Sequence, residues 1–457
     1  MQELKRKIRF YFWLILEFIK KNLFWLIFGF SFFFIGLFLL LLVKPFVIKM
    51  FFKRPKKIGV VGRFSFANPP PTVLSLISRP VISIGKDGNL IPVLLTQWEI
   101  KEGGKVFRFY FRKDLVWNDG KKFSVHDIAG QLFKEAEIKP IDDFTFEVRL
   151  KNPTVILPFY LTRPIYRYPL VGIGGEYKIV KYELQNGFFK EIVLESKLKG
   201  RTLIYRFFNT EPQLINAFKT GKIDSFEIKD QELAFQFKDW RNVVFEKKVD
   251  YQYMAVIFFN LRQKLVSQKA FREAISYLLP WEKISNYGEL SKGPIPPVSK
   301  FYDINLPPKI QDLEKAQALI KEIVEDKKYK LKVISDYRLV YIAEMLNDSL
   351  EKFGIEMEIE ALTFDIPEDF DMLIVFWKVP LEIDQYFFWH STQVNAANKT
   401  GYKSLRIDKY LEDARSTFSF EKQFMALKKF QEEIVRDKPA VFLYFPFKYI
   451  IERKRLF

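Results

Sequence analysis

The chain of 457 residues contains no cysteine and only two histidines. The first absence excludes disulfides, thiolate metal centres, a cysteine nucleophile and anchoring through a lipidated cysteine. The second excludes a zinc site of the HExxH kind. No GxSxG or GxxxxGK stretch occurs, so a nucleophile elbow and a phosphate-binding loop are missing too. Gly172, Gly174 and Gly175 of VGIGGEY lack the strand-to-helix spacing of a dinucleotide loop and predict a turn. Asp142 with Asp143, and Glu432 with Glu433, stand among Lys and Arg in polar stretches and read as solvated faces. No catalytic residue, metal ligand or cofactor is expected.

Charge is absent over residues 23–43 (LFWLIFGFSFFFIGLFLLLLV), a run with the roughly 20 residues that a helix needs to cross a hydrocarbon core. It exceeds the 7–15 apolar residues of a cleavable signal and is followed by Lys44, Pro45 and Phe46 rather than by small residues. It is therefore expected to stay as a single transmembrane helix. Residues 1–22 form a basic segment, whose stretch 8–19 suits a helix lying at the membrane interface, and residues 44–57 form a basic linker. The first 57 residues hold twelve Lys and Arg against two Glu, which is +10 of the net +18. The remainder has no Arg/Lys run of the kind that marks a nucleic-acid arm, so nucleic acid is not expected as a partner. Basic residues flank the span equally, and the positive-inside rule does not orient it.

Beyond residue 57 the composition, 49% hydrophobic and 17% aromatic overall, supports substantial cores. Alternation predicts short strands at 58–61, 107–111, 144–150 and 192–194. Helical spacing predicts helices over 212–220, 269–279, 312–324, 340–353 and 421–435, with Gly354 capping the fourth. Strand-like runs at 329–335, 355–362 and 371–377 around that helix give the order of an α/β lobe. Prolines 294, 296, 297, 307 and 308 resist helix and strand and suggest a boundary between lobes. Ser124 and Asp127 in FSVHDI predict a capping arrangement, which leaves His126 a surface or capping residue. Residues 377–393 (WKVPLEIDQYFFWHSTQ) gather Trp377, Glu382, Asp384, Tyr386 and His390 among aromatics, a mixture that suits either a cleft wall or a core.

Residues 87–128 (DGNLIPVLLTQWEIKEGGKVFRFYFRKDLVWNDGKKFSVHDI) resemble the signature segment of the extracellular solute-binding proteins, family 5, the oligopeptide and dipeptide class of ABC importers. A Pro-containing turn, a Trp-containing strand, an aromatic strand ending in Arg-Lys and a Trp-x-Asp-Gly turn follow in that family's order. Further similarity runs through DFTFEVRLKNP, GIGGEYKIV, AFKTGKID, FREAISYLL, LEKFGI and the segment from Asp384 to Tyr402.

The resemblance implies a two-lobed α/β fold of the periplasmic-binding-protein type, class II-like, with an extra subdomain in the first lobe and the single N-terminal transmembrane helix before it. The first lobe is expected over 58–298, with the subdomain at about 83–165 and the chain returning at about 436–457; the second lobe is expected over 299–435. It implies a protein that is not an enzyme and that traps an oligopeptide-like or other small solute between lobes outside the cytoplasm. Its partners would be an ABC transporter permease and the lipid bilayer, with the N-terminus cytoplasmic. The alternative is a surface receptor or chaperone-like protein using the same fold without transport. Peptide-binding members usually carry an Asp shortly after the second-lobe Trp, which pairs with the peptide amine. Here Lys378, Val379 and Pro380 occupy those places, so that Glu382 or Asp384 is its expected replacement, while Lys378 favours an anion. On the first lobe Arg63, Phe64 and Asn68 follow the first strand, where the resemblance implies an edge that pairs with an extended peptide. The expected ligand contacts are thus Trp377, Glu382, Asp384, Tyr386, His390, Arg63, Phe64 and Asn68.

Overall fold

The computed structural model describes residues 2–454 apart from 53, 86–88, 129–136, 152, 199, 326, 364–365, 380–383, 395 and 418. In the first helix, Gln2–Phe52, the backbone alone is described at 2–6, 26, 40 and 43–52. Among the described residues no single helix passes as a membrane span. Lys7–Trp25 and Ile27–Leu39, bent by 58° to one another, do so as a pair. The expected uncharged run thus contains a bend near its start. The side chains described along this helix are nearly all exposed, including Phe24, Trp25, Phe32 and Phe38.

One twelve-stranded sheet runs through both lobes. Its first half places Tyr177–Gln185, Phe188–Ser196, Thr202–Phe208, Lys56–Val61 and Ser225–Ile228 in that order. Its second half continues through Tyr253–Phe259, Met372–Lys378, Tyr329–Ser335 and Ile355–Ala361. The long strand Ala440–Arg453 joins them. Its later residues pair with Ser225–Ile228 and Val243–Val249, its earlier ones with Tyr253–Phe259 and Gly288–Leu290. The change of partners falls at Pro446, where the missing N–H breaks the ladder at no cost in hydrogen bonds.

Tyr253–Phe259 shows why the second half is central. Ala255, Ile257 and Phe259 enter one core with the helices Lys269–Leu278, Leu313–Val324 and Val340–Leu350. Met254, Val256 and Phe258 enter another with Leu405–Ser416 and Phe420–Asp437. A strand buried on both faces reads as an unbroken apolar run, YMAVIFF, rather than as an alternation. The chain therefore passes to the second lobe at residues 250–253. The boundary expected at 298/299 is corrected by these pairings. The prolines misled because they deny regular hydrogen bonding without denying burial: Ile295 and Phe301 are buried in the second core, and Gln431 Nε2 donates to the Phe301 carbonyl at 2.8 Å.

The subdomain is a four-stranded antiparallel sheet, in the order Leu95–Lys101, Val106–Phe111, Thr145–Arg149 and Glu137–Asp142, around a core rich in Phe. Its Trp-x-Asp-Gly turn is a structural tie. Trp117 Nε1 donates to Asp127 Oδ2 at 2.8 Å, and Asn118 Nδ2 donates to the Ile77 and Tyr177 carbonyls of the first lobe. Asp127 also completes the capping box with Ser124, as the spacing predicts. Gly172 and Gly175 lie so close to Ile77 that an added Cβ would meet its backbone at 2.2 and 2.1 Å, which explains the glycines without any ligand.

Candidate functional site

Lys56–Val61, Thr202–Phe208 and Ser225–Ile228 are mutually parallel in the first lobe, as are Tyr329–Ser335, Ile355–Ala361 and Met372–Lys378 in the second. Sheets of this kind take ligands beyond the carboxyl ends of their strands. In the first lobe those ends lead to Arg63, to Asn209 and Glu211, and to Lys229 and Asp230. Arg63 Nε donates to Asn209 Oδ1 at 3.2 Å, tying two strand ends together. Thr210 caps the helix Glu211–Lys219, and Asp230 caps the helix Gln231–Phe235, which brings Glu211 and Asp230 into one acidic corner. Burial, then the charge of Asp230, pushes the Glu211 carboxyl above its ordinary range, and Arg338 of the second lobe works against them.

Arg338 stands at the end of Tyr329–Ser335. Its Nε and Nη2 meet the two oxygens of Asp336 at 3.0 and 2.7 Å, and its guanidinium lies 4.7 Å from the Phe376 ring. Burial raises the Asp336 carboxyl, but its bonds to Arg338 outweigh that and hold it below the usual range. Beside this pair, Tyr341 Oη and Tyr444 Oη hydrogen-bond at 2.8 Å, and Tyr287 stacks on Tyr341 at 4.4 Å. The first lobe thus presents acids and the second a fixed cation with aromatic neighbours.

Of the residues expected from the sequence, Trp377, Asp384, Tyr386 and His390 are brought together, but as a group turned inward on the second lobe. Trp377 is 8% exposed and packs edge-on against Phe388 and Phe258 at 5.0 and 5.8 Å. Asp384 is engaged by the Tyr160 hydroxyl of the subdomain and by Arg415, whose Nε lies 3.5 Å from Oδ1. Burial nevertheless raises its carboxyl. Arg415 lies over the Tyr386 ring at 4.3 Å. His390 Nδ1 accepts the Thr392 N–H at 3.2 Å while Nε2 lies 3.3 Å from Glu412 Oε1, so the ring acts as a helix cap with the second nitrogen left to donate. Glu382 lies outside the described residues.

Arg63, Phe64 and Asn68 share one loop. Lys56–Val61 has partners on both sides, while the segment 63–68, where the edge is expected, belongs to no strand. The Phe64 carbonyl accepts the Phe189 N–H at 2.8 Å, its ring packs on Phe207 at 5.3 Å, and Asn68 closes a turn with Ser65. Sequence reasoning missed Glu211, Asp230, Asp336 and Arg338. The signal was present, since all four lie within three residues of a strand's carboxyl end, where an α/β lobe places its ligand.

Comparison with known proteins gives one family and one fold. The profile described as bacterial extracellular solute-binding proteins, family 5 Middle, matches residues 89–399. The oligopeptide-binding protein AppA of Bacillus subtilis is 22% identical over 426 residues, covering 76% of each chain. The dipeptide-binding protein of Escherichia coli is 21% identical over 342 residues, covering 59% of this chain and 63% of that one. Among solved structures, NikZ from Campylobacter jejuni in complex with Ni(L-His) superposes with a TM-score of 0.70 at 20% identity, covering 88% of this chain and 94% of its own. AppA from Bacillus subtilis in complex with a nonapeptide superposes with a TM-score of 0.67 at 18% identity over the same shares.

Proposed function

The chain belongs to the bacterial extracellular solute-binding proteins of family 5, and from that premise we propose that it captures an oligopeptide-like ligand between its lobes, outside the cytoplasm, and hands it to an ABC transporter permease. The observation that carries the reading is that Glu211, beside Asp230 at the strand ends of one lobe, faces Arg338 at a strand end of the other. A zwitterion with an ammonium at one end and a carboxylate at the other complements that arrangement, and charge-assisted hydrogen bonds are the strong ones. Ligand contacts from both lobes favour the closed pair over the open one, which is all the mechanism requires. Lys378 at the end of Met372–Lys378 is a second exposed cation beside the same strand ends, and Arg63 contributes from the first lobe. With Asp384 committed to Tyr160 and Arg415, the ligand amine falls to Glu211 and Asp230. The relatives' ligands are a nonapeptide for one and a nickel–histidine complex for another.

The chain is held at the membrane by its N-terminal helix, with residues 23–43 in the bilayer and Met1 on the cytoplasmic side. A reporter active only outside the cytoplasm, fused after Lys57, is expected to be active; an inactive fusion overturns this topology.

The ligand is tested by purifying the full chain in detergent, releasing bound molecules under denaturing conditions and identifying them by mass spectrometry. Short peptides with free termini are expected. Calorimetric titration with such a peptide should then lose about 2–5 kcal/mol on Arg338→Ala. N-acetylation should weaken binding to the wild type far more than to Glu211→Gln. Equal affinity for free and doubly blocked peptides would reject the zwitterion reading.

A further inference from the structure

The strands of the first lobe have a second end. The amino ends of Lys56–Val61, Thr202–Phe208, Ser225–Ile228 and Val243–Val249 lie together with the carboxyl end of Ala440–Arg453: Lys56 stands opposite Leu203, Ser225 opposite Glu452 and Val243 opposite Arg453. The loops entering these strands therefore share one face, at the far end of the lobe from the candidate site. They carry Arg201, Lys219, Lys222, Lys238, Arg241 and Lys454, all exposed. The acids of this face are mostly committed. Glu452 Oε2 lies 2.7 Å from Lys56 Nζ, Asp224 Oδ2 accepts the Lys57 N–H at 2.9 Å, and Glu195 lies 3.8 Å from Lys178. Among the described residues Asp224, whose carboxylate keeps its charge, Glu176 and Asp239 are left against the six cations. At one end of this row, in the loop that carries Arg201, Leu198 is 86% exposed.

The helix Gln2–Phe52 ends beside this face, because Lys56 opens the strand at its centre. From Phe52 to Lys56 the chain spans at most about 14 Å even when fully extended. Residues 44–52, KPFVIKMFF, combine six apolar residues with two lysines and a proline, a composition suited to the headgroup layer. A bilayer holding the helix is thus within reach of the cations, and a positive face with one protruding leucine matches an anionic lipid surface.

We infer that the base of the first lobe docks on anionic lipid headgroups, with its Lys and Arg at the phosphates and Leu198 entering the interface. The lobe then stands with the candidate site held off the membrane by the length of its strands, roughly 20 Å for six residues. The inference rests on the helix being an anchor, as proposed above.

The absence of cysteine makes the test clean, since Leu198→Cys supplies a sole thiol for an environment-sensitive fluorophore. The full-length chain is placed in nanodiscs of phosphatidylcholine, alone or mixed with phosphatidylglycerol, and the probe is quenched with neutral acrylamide. In the anionic discs at low salt its emission should shift to the blue and its quenching constant fall several-fold. Both effects should vanish in 1 M salt, where the screening length is about 3 Å, and in the variant Lys219→Glu/Lys222→Glu/Lys454→Glu, whose folding is checked by its thermal midpoint. Equal quenching in both lipids overturns the docking, and protection that survives salt and the triple variant overturns its attribution to headgroups. Co-elution with the discs reads the anchor separately. A chain that co-elutes with its probe freely quenched loses the docking alone, whereas one that does not co-elute loses the anchor and this inference with it.

Discussion

Glu211 and Asp384 are both acids raised by burial, and they predict opposite experiments. A ligand ammonium beside Glu211 favours its ionised form, so the bound carboxyl titrates lower than the free one, whose value lies above the ordinary 4.5. Affinity for a free-amine peptide should therefore be constant well above that raised value and fall as pH drops through it. Titration calorimetry across pH 4–8 checks this, and Glu211→Gln should abolish the dependence. Asp384 titrates within the fold itself. Tyr160→Phe removes a donor to a carboxylate that is 4% exposed and should cost about 1–3 kcal/mol in urea denaturation at neutral pH. The sign of its pH dependence follows from the shift: the folded value exceeds the unfolded one, so the site favours folding when protonated. The loss caused by Tyr160→Phe should shrink on acidification, and a loss independent of pH would show that the hydroxyl does not bear on the ionised form. At this scale the sequence is legible where a motif is local. Trp377 and Asp384 stand out by their segment, although what they contact does not. Glu211 and Arg338 lie in unremarkable surroundings and become a pair only through topology.

Elements were more legible than residues. Gly354 takes φ 75° after Val340–Leu350 and the turn Glu351–Phe353, as a left-handed cap should. Nothing lies nearer than 3.8 Å to a Cβ placed there, so Gly354→Ala measures backbone strain alone and should cost about 1 kcal/mol in urea denaturation; a larger loss would point to packing. The helices expected at 212–220, 269–279, 312–324 and 421–435 occur as Glu211–Lys219, Lys269–Leu278, Leu313–Val324 and Phe420–Asp437, because each has an apolar stripe of helical period. The hairpin of Tyr177–Gln185 with Phe188–Ser196 was caught only at 192–194. Its first strand is exposed beyond Ile179, so burial imposed little alternation there. Asn186 and Gly187, with φ of 52° and 81°, are the turn signal that marks it.

At the scale of the molecule, the two halves of the sheet are joined at the turn leading into Tyr253–Phe259 and at Pro446. There Lys229, at the end of a first-lobe strand, reaches Asp250 Oδ2 at 2.8 Å and lies 3.9 Å from the Tyr253 ring. Lys229→Met strands an acid that is 5% exposed. It should cost about 2 kcal/mol, less than the 3–5 of a fully buried pair because the lysine keeps some solvent, and urea denaturation checks it. The lobe boundary was the least legible feature. It falls at a short turn without proline or glycine, between Val243–Val249 and Tyr253–Phe259, and it depends on pairing between residues far apart in sequence. The strand Ala440–Arg453 carries that dependence furthest. In the first lobe it lies between Ser225–Ile228 and Val243–Val249, and in the second it lies against Tyr253–Phe259. A ribosome supplies this segment after all its partners, so while the chain is being made neither sheet has its shared member. Both lobes must wait, incomplete, for the same fourteen residues, and a nascent chain stalled before residue 440 should be digested by protease throughout rather than leave one lobe intact.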